Sequence, residues 1–302
     1  MTSRLPRSSV VFAEAAVVLM ALIWGVNYSV IKYGTSLVQA TAYNAVRVAL
    51  GTLILLIVAR MIGGAAPSRR DAMMLMALGA LGNGIYQIFF AEGITRTRAG
   101  EAALIAGASP ALIATFSRLA GVERPNGRVL SGILLSVFGV GLIVLTTAAA
   151  AVPARGSSLF GDLLVLCGTF CWALYTVLLI PYTKRNGGFW IIALTMTGGT
   201  IVLAIAGARA IVTTPWTALP PSLWYALVYS GIGGLVIAYF CWLKGVKVLG
   251  PTRTSLFTNL QLPTALIVAW LTLHETPTPW QVAGAITILS GALLTRAPSA
   301  ES

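Results

Sequence analysis

Residues 123–139 read ERPNGRVLSGILLSVFG, and residues 275–291 read ETPTPWQVAGAITILSG. Both stretches open with Glu-x-Pro and continue into an apolar segment that contains two glycines. The shared positions are Glu123, Pro125, Gly132 and Gly139 in the first stretch and Glu275, Pro277, Gly284 and Gly291 in the second, each pair 152 residues apart. Upstream, Pro110 pairs with Pro263 and Trp24 with Trp172, at offsets of 153 and 148. The chain is therefore predicted to consist of two related halves.

The segments around these stretches are too apolar for a soluble protein. Of 302 residues, 57% are hydrophobic and 9% are charged, whereas a soluble domain carries roughly 25% charged residues. The apolar residues form runs of about 20 residues separated by short polar breaks, the length at which a helix spans the hydrocarbon core of a bilayer. The pattern predicts an all-α membrane protein.

Ten transmembrane helices are predicted, five in each half. They are placed at residues 14–33, 40–59, 71–94, 99–120, 127–146, 161–180, 189–207, 223–244, 251–271 and 279–294. The corresponding units are a tail at 1–13, a first repeat at 14–146, a linker at 147–160, a second repeat at 161–295 and a tail at 296–302. Because five is odd, the two repeats enter the membrane from opposite sides, an arrangement that places a binding site near the midplane.

The basic residues set the orientation. With the N-terminus inside, fourteen Lys and Arg residues fall in cytoplasmic segments and five in external ones, which by the positive-inside rule puts both termini in the cytoplasm. These loops account for the net charge of +12, so nucleic acid is not an expected partner. The expected partners are the lipid bilayer of a bacterial inner membrane and a small-molecule substrate.

Enzyme chemistry is not indicated. The sequence has no Gly-rich phosphate loop, no metal-spaced His or Cys cluster and no paired carboxylates at membrane depth, so neither a cofactor nor a metal is expected. Cys167, Cys171 and Cys241 fall in apolar segments and are interpreted as small apolar side chains. A channel or lipid scramblase is an alternative class, but the charged rings typical of channels are not visible.

Several motifs in fixed order carry a family resemblance. They are Trp24-Gly25-Val26-Asn27-Tyr28 with Lys32 in the first helix, Arg47 in the second, residues 102–110 in the fourth, Glu123-Arg124 before the fifth, and Pro263 with Glu275 in the second half. With these features the chain resembles the drug/metabolite transporter superfamily, specifically the EamA-type ten-helix exporters, and most closely the aromatic amino acid exporters. The resemblance implies export of small amphipathic metabolites, with drugs, nucleosides or other solutes as alternative cargo.

Aromatic and amide side chains inside the predicted spans are the candidate substrate-binding residues. They are Trp24, Asn27 and Tyr28; Asn83, Tyr86 and Gln87; Trp172 and Tyr175; Tyr239; and Asn259 and Gln261. A cavity lined by rings and amides suits a zwitterion with an apolar side chain. The alternatives are interhelical hydrogen bonds for the amides and packing for the rings. Trp190, Trp216, Trp224, Tyr225 and Trp280 are instead predicted to anchor helix ends at the membrane interface.

Prolines and charged residues indicate where the predicted transporter has its hinges and its gate. Pro110 and Pro263 are predicted in the middle of the fourth and ninth helices, where they free the carbonyls of residues 106 and 259 and form either hinges or simple kinks. Lys32, Arg47, Glu92 and Glu101 are predicted to form an ionic gate on the external side, with Arg96 and Arg98 on a solvated rim. Arg47 lies about two turns inside its helix and requires a partner, with Glu92 or a backbone carbonyl expected.

The acidic residues favour an uncoupled carrier. Glu14, Asp71, Glu92, Glu101, Glu123, Asp162 and Glu275 all lie near predicted helix ends. Proton-driven carriers commonly use a carboxylate at membrane depth. Facilitated diffusion is therefore the expected mode of transport.

Overall fold

The computed structural model describes residues 7–121, 127–149, 158–183, 185–249 and 260–296, together with Thr254 and Phe257. Across these ranges the chain forms helices and no strand, which confirms the predicted all-helical class. The helices are α1 (Arg7–Leu37), α2 (Ala40–Ile62), α3 (Arg69–Arg96), α4 (Ala99–Leu119), α5 (Gly127–Ala149), α6 (Leu159–Thr183), α7 (Gly188–Thr213), α8 (Pro221–Val228, Tyr229–Ile237 and Ala238–Leu249 in succession), α9 (Gln261–Leu273) and α10 (Pro279–Arg296).

Seven of the described helices, α1 to α4 and α6 to α8, are long and apolar enough to cross a membrane. Two shorter apolar helices cover Leu130–Ile143, within α5, and Gln261–Leu273. The first helix is longer than predicted, since it begins at Arg7 instead of residue 14. The described part of α9 begins at Gln261 instead of residue 251, and Asn259 lies outside the described residues.

Two helices at matched positions contain a π-helical segment. In α3 it covers Ala80–Ile85, and in α8 it covers Tyr229–Ile237. The buried glycines of these regions correspond, because Gly79 and Gly82 in α3 have counterparts 152 residues later in α8. π-helical turns widen the helix and are frequent at functional sites. Both halves therefore place an irregular, glycine-lined segment at the same point.

The predicted fourth helix is interrupted beside Pro110. α4 is interrupted after Ala106, and its second segment begins at Ser109, so Pro110 lies in the first turn of that segment. Pro263 lies in the first turn of the described part of α9. The carbonyl of Ala106, predicted to be free, accepts a hydrogen bond from the Ser109 hydroxyl. The segments that begin at Ser109 and Gln261 are 152 residues apart, so the halves again match.

The main packing contacts between the halves recur when the halves are exchanged. α1 packs against α8 and α9, and correspondingly α6 packs against α3 and α4. α2 packs against α8 as α7 packs against α3, while α2 contacts α7 and α5 contacts α10. The helices of the two repeats therefore pack around one centre, and α1, α3, α6 and α8 surround it.

Glycine permits the closest of these contacts. A β-carbon at Gly139 would lie 3.0 Å from the carbonyl oxygen of Gly284, and one at Gly284 would lie 3.1 Å from that of Gly139. Between α3 and α7, a β-carbon at Gly198 would overlap the carbonyl of Met76, and one at Gly79 would overlap that of Thr195. Small residues at helix crossings let backbones approach in this way.

Candidate functional site

Five aromatic rings from α1, α3 and α6 form a continuous chain, here called the ring cluster. Its members are Tyr28, Phe90, Tyr86, Trp172 and Tyr175. Successive ring centroids are separated by 5.5, 5.8, 5.5 and 5.3 Å. These distances are those of favourable aromatic pairs. The structure thus brings together four of the predicted substrate-binding residues, with Phe90 between them.

Two further predicted rings adjoin the ring cluster. Trp24 and Tyr239 meet edge to face at 5.8 Å, and the indole Nε1 of Trp24 donates to the carbonyl of Gly234 at 2.9 Å. The phenol of Tyr239 lies near those of Tyr86 and Tyr175. Rings from α1, α3, α6 and α8 therefore face one region, bordered by both π-helical segments.

Two predicted amides in this region are buried and incompletely bonded. Asn27 is 9% exposed and Asn83 is 1% exposed. The Oδ1 atom of Asn27 and both amide atoms of Asn83 make no hydrogen bond of ordinary geometry with the described residues, although Asn83 lies beside the Tyr175 hydroxyl. Buried polar groups almost always have partners. These amides therefore have polar atoms available for a further partner.

Of the other three predicted amides, Asn259 lies outside the described residues, and Gln87 and Gln261 have different surroundings. Gln87 is buried and bonds Arg47 of α2, so it joins two helices as well as facing the site. Gln261 begins α9, and its carbonyl lies against Gly25 of α1, where a β-carbon would approach to 2.9 Å. That contact places the start of α9 beside the segment of α1 that contains Trp24 and Asn27.

Arg47 is buried at 1% exposure and has neutral partners. Its Nε donates to Asn44 Oδ1 at 2.6 Å, its Nη2 to Gln87 Oε1 at 2.7 Å and its Nη1 to Ser230 Oγ at 3.1 Å. The requirement for a partner is confirmed, but the expected partners are wrong. Glu92 instead pairs with Arg96 at an exposed position, 2.5 Å between Oε2 and Nη1. Arg47 consequently belongs with the rings, apart from the other predicted gating residues.

At one end of the bundle, polar residues from both halves form a second group, here called the polar end cluster. Its members are Lys32, Thr97, Arg98, Glu101, Asp162, Glu275 and Gln281. Lys32 Nζ lies 3.6 Å from Glu275 Oε1 and also donates to the carbonyls of Thr97 and Ile94. Glu275 accepts the backbone N–H groups of Ala99 and Gly100 at 3.2 and 3.3 Å, which caps the start of α4. One carboxylate thus ties the end of α9 to α1 and α4.

The remaining contacts of the polar end cluster are also buried. Glu101 accepts from Gln281 Nε2 at 2.7 Å and from Thr97 Oγ1 at 2.8 Å, and Thr97 Oγ1 also contacts Asp162 Oδ1. Arg98 was expected on a solvated rim, but it is 5% exposed and donates to the Thr276 carbonyl at 2.5 Å. The helix ends pack against α10, and this packing buries charges that the sequence suggests are solvated.

Sequence reasoning missed six participants, namely two that hold Arg47 and four members of the polar end cluster, among them Thr97 and Glu275. Asn44 and Ser230 hold Arg47, while Asp162 and Gln281 complete the polar end cluster. Asn44 was detectable, since it lies three residues before Arg47 on the same helical face. Ser230 and Gln281 contact residues about 180 positions away, at |i−j| of 183 and 180, so no local pattern indicates them.

Long apolar helices, an internal duplication and a buried polar centre define a multi-pass membrane transporter. The chain belongs to the EamA-like transporter family, whose model matches residues 11–145 and again residues 159–297. The predicted resemblance to EamA-type transporters is thereby confirmed. The two matches cover the two halves identified from the repeated Glu-x-Pro stretch.

Relatives of similar length agree with this assignment. The chain is 27% identical over 272 residues to the uncharacterized transporter YyaM of Bacillus subtilis, covering 89% of this chain and 88% of that protein. It is 24% identical over 282 residues to a probable terminal-alkyne amino-acid exporter of Streptantibioticus cattleyicolor, covering 92% and 91%. A protein crystal structure shares the fold with a TM-score of 0.64 at 18% identity, covering 95% of this chain and 96% of that one.

Proposed function

We propose that this protein is an alternating-access carrier that exports small amphipathic metabolites, chiefly amino acids with aromatic or other apolar side chains. The observation that carries the proposal is the ring cluster with its incompletely bonded amides, Asn27 and Asn83, placed between the two π-helical segments. Flat rings bind an apolar side chain, and amides bind polar ends. The amino-acid exporter among the relatives supports this cargo class.

The proposed topology is ten transmembrane helices in two inverted repeats, with both termini in the cytoplasm of a bacterial cell. It is supported by the excess of basic residues in segments assigned to the cytoplasm. The symmetry of helix contacts under exchange of the halves supports it as well. Inverted repeats of this kind alternate access by rocking one bundle against the other around a fixed site.

The polar end cluster is the proposed external gate. Lys32 and Glu101 of the first half contact Glu275 and Gln281 of the second, so opening this end requires breaking buried polar contacts. The interruptions before Ser109 and Gln261 are the proposed hinges, because helical segments joined by a turn reorient more easily than a continuous helix. Arg47 and Glu92 take no part in this gate.

Transport by the purified protein in liposomes tests the proposal. The panel contains radiolabelled L-phenylalanine, L-tryptophan, L-leucine, uridine and ethidium. A carrier is expected to give saturable uptake of its substrate, and unlabelled substrate on the opposite side of the membrane is expected to accelerate that uptake. Replacing Tyr86 with leucine removes ring contacts with Phe90 and Trp172 and is expected to raise KM for L-phenylalanine roughly 2- to 10-fold.

The matched control for this variant is Tyr225→Leu, which changes a 75% exposed ring on α8 and is expected to leave KM unaltered. Linear, non-saturable flux would contradict the carrier and indicate a channel. Movement of labelled lipid between leaflets without solute counterflow would indicate a scramblase.

A further inference from the structure

The charge of Arg47 is left unbalanced by the residues that hold it. Its three hydrogen bonds go to a carboxamide, a second carboxamide and a hydroxyl, on α2, α3 and α8. The ion pairs among the described residues belong to Lys32, Arg96 and Arg185, and none reaches Arg47. Neutral acceptors orient a guanidinium but do not cancel its charge, and an arginine keeps that charge inside a protein. At membrane depth such a cation is costly.

A purely structural role does not explain this cost. A neutral side chain of similar length would bridge the same helices with the same acceptors and without a buried charge. We infer that Arg47 binds the carboxylate of the transported molecule, so that the cargo must be a carboxylic acid; this inference rests on the proposed function. Binding of cargo then supplies the missing negative charge, and release restores the unbalanced state.

The surroundings of Arg47 select a monoanion with an aromatic or other flat apolar part. A guanidinium has five N–H groups in a planar fork, of which the three bonds above use three, and the fork geometry matches a carboxylate. One cation balances one negative charge, which disfavours a phosphate dianion. The phenols of Tyr86 and Tyr239 lie near Arg47, so the charged group adjoins the rings.

The position of Asn27 fits the second charge of an α-amino acid. Ser230, which bonds Arg47, precedes Gly234 by four residues in the same π-helical segment of α8. Asn27 lies beside Gly234, with Nδ2 3.0 Å from where a β-carbon on that glycine would stand. Its Oδ1 atom has no donor among the described residues. An ammonium group held there would leave the carboxylate of the same molecule within reach of Arg47.

The test measures how strongly two acids and one amide compete with labelled L-phenylalanine in a counterflow assay in proteoliposomes. The competitors are unlabelled L-phenylalanine, L-phenylalaninamide and 3-phenylpropanoate. In the wild-type protein the amide is expected to compete at least about tenfold more weakly than either acid. In Arg47→Gln both acids are expected to weaken about tenfold or more while the amide changes less than about threefold, and Arg47→Lys is expected to keep the preference for acids.

Arg60→Gln is the matched control, since it removes an exposed arginine from the last turn of the same helix and is expected to leave all three competitors unchanged. Equal competition by acid and amide in the wild type would overturn the inference, even if Arg47→Gln fails to fold. The inference would also be overturned if Arg47→Gln weakened competition by the acids and by the amide by the same factor. Counterflow of uridine or ethidium alone would overturn it while leaving the carrier intact, and no counterflow of any panel member would overturn both.

Discussion

Replacing Lys32 with methionine is expected to remove most of the folded protein from the membrane. The substitution deletes one of two cations from a cluster that holds Glu101, Asp162 and Glu275, and the Glu275 side chain is only 9% exposed. Removing one partner of a buried ion pair typically costs about 3–5 kcal/mol, because the remaining charge is left in a poor environment. The measurements are the yield of monodisperse protein in gel filtration and its thermal midpoint in detergent.

Two control variants separate the buried pair from a general effect of lost charge. Arg96→Met breaks the exposed pair with Glu92 and is expected to cost about 1 kcal/mol or less. Lys32→Met combined with Glu275→Gln neutralises both partners and is expected to recover part of the yield. If Lys32→Met folds as well as Arg96→Met, the ion pair with Glu275 does not stabilise the protein.

The substitution Gly198→Ala is expected to have the second-largest effect. The added β-carbon would overlap the backbone carbonyl of Met76, so α3 and α7 would have to move apart along their whole contact. Overpacking that no flexible side chain relieves costs about 1–3 kcal/mol or more. A lower thermal midpoint and a smaller monodisperse fraction are the expected readouts.

Gly141→Ala on α5 is the control for this change, because no atom of the described residues lies within 4 Å of the new β-carbon. Alanine also favours a helix over glycine by about 1 kcal/mol, so this variant is expected to be as stable as the wild type or more so. Equal thermal midpoints for Gly198→Ala and Gly141→Ala would show that α3 and α7 are not in such close contact.

The positions of the helices and the break beside Pro110 follow from the sequence, whereas the π-helical segments do not. Apolar runs of bilayer length leave the backbone no alternative to helix, so the spans were predictable. The π-helical segments at Ala80–Ile85 and Tyr229–Ile237 depend on the packing of α3 and α8 against helices of the other half. The break in α4 after Ala106 lies just before Pro110, which has no N–H to donate to the Ala106 carbonyl, and the Ser109 hydroxyl donates to that carbonyl instead.

Within the candidate site, side-chain types were predictable and pairings were not. A buried cation inside a membrane is costly, so the sequence correctly indicated that Arg47 needs partners. Ser230 is far from Arg47 in sequence, however, and only the folded structure brings the two together. Arg98 lies beside a helix end in sequence and looks solvated, but α10 covers it. Asn259 was also predicted to line the cavity, and it falls outside the described residues.

Opposite orientation of the two halves is the claim on which the carrier, its gate and its central site depend. Ala66, in the loop after α2, and Ala218, in the loop after α7, are exposed and occupy matched positions 152 residues apart. Each is changed singly to cysteine in a background in which the three native cysteines are replaced by alanine. An impermeant maleimide applied to intact cells is expected to label position 218 directly and position 66 only after permeabilisation. Labelling of both positions from the same side would contradict the inverted repeat.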